Sequence, residues 1–202
     1  MGNFLFDDCV FSELTEEIIQ SSDAFSCKNN DLDEFFNVDS FHYSRQLLGK
    51  TYCFRLAANV RKIVCAFTIS NDSIRVDDLP NSRGKKIKSV VPREKSMRRF
   101  PGVLIGRLGV SQEFQGKGIG TELMDFIKSW FVVSNKTGCR FLIVDAYNDK
   151  NTLNYYESNG FKYLFSTENQ EYLSIFREEE TQGESLKTRL MYFDLIELTR
   201  FE

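Results

Sequence analysis

Hydrophobic and polar positions along the chain switch between two periods, and the switches mark its elements. Near the front, VFSEL within the first fourteen residues reads as an edge strand. DLDEFFNVDSFHYSRQLL (31–48) reads as a helix, with Asp31 and Asp33 in its first turn and Gly49 just past its end. TYCFRLAAN (51–59) and KIVCAFTIS (62–70) are strand candidates separated by Val60 and Arg61. That spacing predicts a tight hairpin, although the best turn residues are missing. PGVLIGRLGV (101–110) reads as a buried strand, in which Gly106 and Gly109 point to a bulge or a close backbone approach. Over 115–134 the period becomes helical, and Ile119, Leu123, Phe126, Ile127 and Trp130 fall on one stripe. CRFLIVDAY (139–147) is a further buried strand, and KNTLNYYESNG (150–160) a short helix closed by Gly160. FKYLF (161–165) starts a strand, the acidic stretch Glu178–Glu180 reads as a loop, and LKTRLMYFDLIEL (186–198) supplies the last strand.

This order fits an α/β fold (α+β in some schemes): a mixed, mostly antiparallel central sheet with helices on both faces and a parallel crossover near its middle. A length of 202 residues suits one domain, 1–202, with a surface insertion at about 71–100. The 14% aromatic content and only three prolines argue against a disordered chain. No apolar run approaches the roughly 20 residues of a membrane-spanning helix, and MGNFLFDDCV lacks a signal-peptide pattern, so a cytoplasmic protein without membrane partners is expected.

Charge and soft ligands narrow the chemistry. The net charge of −3 taken alone discourages a nucleic-acid partner. It conceals an uneven distribution, however: RGKKIKSVVPREKSMRR (Arg83–Arg99) carries +7 and the remaining residues −10. A solvated loop is the plain reading of such a run, and a polyanion-binding face the functional one. The five cysteines are scattered without a C-x-x-C pair, and His42 is the one histidine, so no metal site is expected. His42, in FHYSRQ, reads as a helix-surface residue, and Cys65 and Cys139 as core residues.

The informative segment is RLGVSQEFQGKGIGTEL (107–123), in which a buried strand ends, a polar turn follows, and Gln115-Gly116-Lys117-Gly118-Ile119-Gly120 opens an amphipathic helix. Free amides and the positive dipole end make a helix start a phosphate site, and glycines let a pyrophosphate approach. Inside a helix each glycine costs roughly 1 kcal/mol relative to alanine, so a purely structural helix would not keep three. The P-loop pattern fails at Ser111 and Gly118, and the spacing Gly-x-Gly-x-Gly is not the dinucleotide fingerprint.

Gln-x-x-Gly-x-Gly after Arg-Leu-x-Val resembles the acetyl-CoA pyrophosphate turn of the GNAT superfamily of N-acetyltransferases, and NDKNTLNYYESNGFKY (148–163) resembles its second landmark. The resemblance covers about residues 50–196, and LDEFF in the front helix is less specifically similar to the branch of GNAT toxins acting on aminoacyl-tRNA. It implies transfer of an acetyl group from acetyl-CoA to a primary amine by direct attack in a ternary complex. Backbone groups of Leu108, Gly109 and Val110 would pair with the pantetheine arm. Amides of Gly116, Lys117, Gly118, Ile119, Gly120 and Thr121 would hold the pyrophosphate, with Gln115 lining the turn. The Lys117 side chain would add charge or point to water. Asn148 and Asn151 would contact the cofactor or fix the second helix, and Asn148 has the alternative of capping it.

The resemblance further implies a tyrosine as proton donor to the departing thiolate, and the pattern Tyr-x-x-x-Gly-Phe matches that role to Tyr156 rather than its neighbour Tyr155. A phenol with an ordinary pKa of about 10 stays protonated at neutral pH. No carboxylate lies between Pro101 and Gln112, so the glutamate base of some relatives is missing. An α-amine, titrating near 8, then suits the site better than lysine at about 10.4. Aminoacyl-tRNA, reached through Arg83–Arg99, is the alternative acceptor. A non-catalytic acyl-CoA-binding sensor or interaction module is the alternative from another class, and a homodimer is left open.

Overall fold

The computed structural model describes residues 3–199 apart from 76, 78, 80, 90–97, 134, 136, 177–184 and the side chain of Arg83. Arg93, Lys95 and Glu178–Glu180 therefore lie outside the described residues. In chain order come α1 (Phe4–Asp7), β1 (Cys9–Glu13), α2 (Glu16–Ser21) and α3 (Asn30–Glu34), after which a π turn (Phe35–Asp39) runs into α4 (Ser40–Arg45). Then follow β2 (Lys50–Leu56), β3 (Ile63–Arg75), α5 (Asn81–Lys88), β4 (Arg99–Val110) and a 3-10 turn (Gln112–Phe114). The order ends with α6 (Ile119–Val132), β5 (Phe141–Tyr147), α7 (Lys150–Ser158), β6 (Lys162–Tyr163), α8 (Glu168–Phe176), β7 (Thr188–Asp194) and α9 (Ile196–Thr199). The seven strands are ordered β1-β2-β3-β4-β5-β7-β6. β1, β2 and β3 pair antiparallel, as do β5, β7 and β6, whereas β4 and β5 pair parallel. The expected mixed, mostly antiparallel sheet with a parallel step is therefore present.

The chain divides into two compact units, one of residues up to Ser70 with Ile105–Trp130, the other of Asn71–Leu104 with residues from Phe131 on. In the first unit, strand alternation serves two cores. Phe11 is the register partner of Phe54, and Phe54 of Cys65, so all three share a face. On that face the Phe11 ring lies 4.8 Å from Phe126 and 5.3 Å from Trp130 of α6. Cys53 and Ala66 turn the other way and pack with Leu14, Phe25, Phe35, Phe36 and Ile63. In the second unit Phe100, Phe141, Ile143, Leu164, Phe165 and Tyr192 form the core together with Ile74, Leu79 and Ile87.

Those last three residues sharpen the reading of 71–100 as a surface connection with room for a short helix: the helix is α5, and the segment is also anchored in a core. β3 runs on to Arg75, and α5 buries Ile87 while Lys85 and Lys86 stay exposed. The segment's charge hid its apolar anchors, because a helix of one turn or two needs few of them. The front helix differs as well. It is interrupted by the π turn and stops at Arg45, and Leu47, with φ 58°, makes the reversal that Gly49 was expected to make. The hairpin loop is longer than a tight turn, spanning 57–62, as the poor turn residues allow. The last strand ends at Asp194, and 196–199 are helical.

Candidate active site

The glycine turn belongs to the first unit. The Ser111 amide bonds to the Val64 carbonyl, and the Gln112 amide to that of Ser26, which ties the end of β4 to its neighbours. Gln115 then bridges the turn: its Nε2 donates to the carbonyls of Cys27 and Val110, each at 2.9 Å. Gly116 and Gly118 follow with φ of 72° and 81°, the left-handed region that residues with a Cβ adopt at a cost. A Cβ on either would meet nothing within 4 Å, so the space above both is open. The first bonds of α6 run from the Thr121 and Glu122 amides to the Gly118 carbonyl.

This changes the reason for two of the three glycines. Gly116 and Gly118 lie before the helix, not inside it, and their backbone conformation demands them; Gly120 alone sits within α6. Lys117 folds back, its Nζ donating to the Glu113 carbonyl at 2.8 Å and lying 5.5 Å from the centre of the Phe114 ring. Its positive charge is therefore held at the turn. Gly109 is the close approach anticipated on β4: a Cβ there would lie 3.2–3.3 Å from Phe36, Cys27 and Phe25, whereas one on Gly106 would meet nothing within 4 Å. Leu108 and Val110, on either side of Gly109, are partly buried.

Tyr156 belongs to the second unit, on α7. Asp149 caps this helix by accepting from the Asn151 and Thr152 amides, so Asn148 is not the cap. Asn148 instead donates its amide to Glu168 at 3.0 Å and to the Leu186 carbonyl at 2.9 Å. The Asn151 side chain is exposed on the first turn. At the other end, the Phe161 amide bonds to the Tyr156 carbonyl and the Gly160 amide to that of Glu157, with Gly160 at φ 80°. This is the Schellman closure, and its usual hydrophobic contact is the pair Tyr156–Phe161, ring centres 5.4 Å apart. The spacing Tyr-x-x-x-Gly-Phe is thus a helix cap written in side chains. Of the adjacent tyrosines, Tyr156 is buried and Tyr155 partly exposed. Burial pushes the Tyr156 hydroxyl up to about 12, so it holds its proton throughout the neutral range.

Sequence reasoning missed two groups. A buried network anchors α8 to β7: Arg189 Nε donates to Glu171 at 2.8 Å, and Glu171 also accepts the Leu190 amide. Nothing in the spacing of these residues announces it. Arg107, noted only as part of a strand motif, lies with its guanidinium carbon 3.8 Å from the centre of the Phe35 ring. The cysteines are free and the two read as core are buried, and burial raises their thiols: Cys139 to about 11 and Cys65 well above its ordinary value. His42 is exposed on α4, as expected.

Comparison with known proteins bears on this arrangement. Residues 80–163, from before α5 through the glycine turn to β6, match the acetyltransferase (GNAT) domain. No curated protein matches the sequence. Among solved structures, a tyrosine-to-phenylalanine mutant of KacT superposes with a TM-score of 0.69 at 16% identity, covering 97% of this chain and 100% of that one. AtaT complexed with acetyl-methionyl-tRNAfMet superposes at 0.64 with 19% identity, covering 95% and 98%. A tyrosine-to-phenylalanine mutant of the AtaT toxin, bound to acetyl-CoA and the C-terminus of the antitoxin AtaR, superposes at 0.61 with 18% identity, covering 97% and 100%. Among the described residues no helix is long and apolar enough to cross a membrane. The matched acetyltransferase (GNAT) domain spans both the glycine turn and the tyrosine helix, and the chain shares its fold with these structures.

Proposed function

We propose that residues 1–202 act as a single N-acetyltransferase domain that binds acetyl-CoA at the glycine turn and uses Tyr156 as its proton donor. The observation that carries this is the turn itself: two left-handed glycines with open space above them, at a helix start, locked from behind by Gln115. Amides from Gly116 to Thr121 would hold the pyrophosphate, and the held charge of Lys117 adds to the dipole there. Backbone groups of Leu108–Val110 would pair with the pantetheine arm as with another strand. Asn148, anchored to Glu168, would keep the start of α7 in place, and the exposed Asn151 remains a candidate cofactor contact. When bound, acetyl-CoA supplies the activated acyl carbon. Tyr156 Oη, still protonated, would give its proton to the leaving sulfur, and since β4 carries no carboxylate from 101 to 112 the acceptor amine would arrive neutral or lose its proton to water or to a carboxylate elsewhere.

For the acceptor, an aminoacyl-tRNA α-amine is the reading that particular observations favour over an unspecified amine. AtaT, similar in fold, is known in complex with an acetylated aminoacyl-tRNA, and α5 presents Lys85 and Lys86 to solvent. Antitoxin and DNA complexes of such neighbours support a protein partner as well. We place the protein in the cytoplasm, where acetyl-CoA and charged tRNA are found. Calorimetric titration with acetyl-CoA should show one saturable site. No heat of binding at hundreds of micromolar, on the scale of ordinary substrate affinities, would remove the proposal.

A further inference from the structure

Arg107 precedes by one residue the stretch of β4 proposed to pair with the pantetheine arm, and its surroundings are unusual for a partly buried cation. Its guanidinium carbon lies over the Phe35 ring, 3.8 Å from the ring centre, and 5.5 Å from the centre of the Tyr43 ring, which stands nearly perpendicular to the first. Stacking of this kind leaves the N–H edge available. Among the described residues that edge has no hydrogen-bond or ion-pair partner, and four acidic groups of the same unit are engaged elsewhere. Glu13 pairs with Lys50, Asp23 with Arg61 and Glu113 with Lys62, while Asp33 accepts from Ser26 and Cys27. The strand itself offers no carboxylate from 101 to 112.

A guanidinium held by rings and left without an anion is a fork preset for a planar oxyanion, which it can take with two parallel hydrogen bonds. Strand alternation puts Arg107 on the same side as Gly109, where Phe36 and Phe25 come within 3.2–3.3 Å of where a Cβ would stand. We infer that Arg107 is an acceptor-specificity residue whose N–H edge binds an oxyanion, carboxylate or phosphate, carried by the amine acceptor. The inference rests on the acetyltransferase reading above.

The test compares matched acceptors at saturating acetyl-CoA: O-phosphoethanolamine against ethanolamine, glycine against glycinamide, and charged bulk tRNA against methionine methyl ester. The native enzyme should prefer at least one anionic member by about tenfold or more in kcat/KM, the worth of a charged hydrogen bond. Which pair shows the preference tells carboxylate, free phosphate and nucleic-acid phosphate apart. Arg107→Met should abolish it by raising the acceptor KM while the KM for acetyl-CoA holds, and Arg107→Lys, keeping the charge without the fork, should retain part of it. An absent preference, or one that survives in Arg107→Met, overturns the inference. Should none of the acceptors turn over, the Arg107 Nε–H resonance, assigned by its loss in Arg107→Lys, decides. It should shift saturably with inorganic phosphate or acetate, and an unmoved resonance overturns the inference. Failure to bind acetyl-CoA is read separately by calorimetry and counts against the acetyltransferase reading.

Discussion

At the scale of single residues, the arrangement separates groups that hold a shape from groups that present chemistry. The Tyr156 ring belongs to the closure of α7 and its hydroxyl does not, so Tyr156→Phe keeps the contact with Phe161 and removes only the oxygen. It should melt within a degree or two of the native protein and bind acetyl-CoA normally, yet lose about 10²-fold or more in kcat, the usual size of acid–base help. Unchanged turnover in a stopped-flow or coupled assay would take Tyr156 out of the mechanism. Gly118→Ala places a Cβ in open space but in a left-handed backbone, at a cost of about 1–2 kcal/mol. The expected signature is a modest loss in denaturant midpoint with a larger loss of acetyl-CoA affinity by calorimetry. Tyr156 was legible from its spacing to Gly160-Phe161, because a helix cap obeys fixed geometry. Arg107's setting was not, since a stacked guanidinium is made by rings 64 and 72 positions away in the chain.

At the scale of elements, the strands announced themselves, as did α7 through its glycine closure, whereas α2 and α8 did not. β2 to β5 carry long apolar runs that are buried on both faces, a signal that survives any error in boundaries. α2 and α8 are shorter, at six and nine residues, and are held by a few contacts each, so their periodicity never accumulates. For α8 the decisive contact is the buried pair Glu171–Arg189. Glu171→Ala would leave the buried Arg189 with only the looser pair to Glu168 at 3.9 Å and should cost about 3 kcal/mol, the low end for a broken buried pair, seen as a shifted urea midpoint. An exchange of both residues for apolar ones should recover much of that loss. A change of midpoint below 1 kcal/mol for Glu171→Ala would mean that water already reaches the arginine.

At the scale of the whole molecule, the protonation of buried groups sets a pH limit. Burial raises the thiols of Cys9 and Cys139 to about 11, that of Cys27 to about 12, and the Tyr156 phenol to about 12. The unfolded chain releases the same protons near 9 and 10. Each group therefore contributes stability that is intact below about pH 9 and declines as the pH climbs toward 12. Urea midpoints should be level from pH 7 to 9 and then fall, with the native thiols slow to alkylate until that fall begins. Salt reports on the other charged feature. If charged tRNA is the acceptor, its retention should weaken steeply with added salt, and reversing Lys85, Lys86 and Lys88 together should flatten that dependence.

The π turn at Phe35–Asp39 accommodates one residue more than a regular helix would. At about 100° per residue, Phe35 and Tyr43 would stand some 80° apart on an uninterrupted α-helix. Absorbing a single position in the wider turn brings them back to within about 20°, onto the side where both rings meet Arg107. In evolutionary terms the π turn has the form of a one-codon insertion that the helix absorbs without turning the two rings apart. Removing the exposed Val38 should leave a regular helix of undiminished helicity by circular dichroism, in which Phe35 and Tyr43, then seven positions apart, still face within about 20° of each other. The ring pair over Arg107 would thus tolerate a change of chain length within the helix, and acceptor choice would turn on the side chain at position 107 instead.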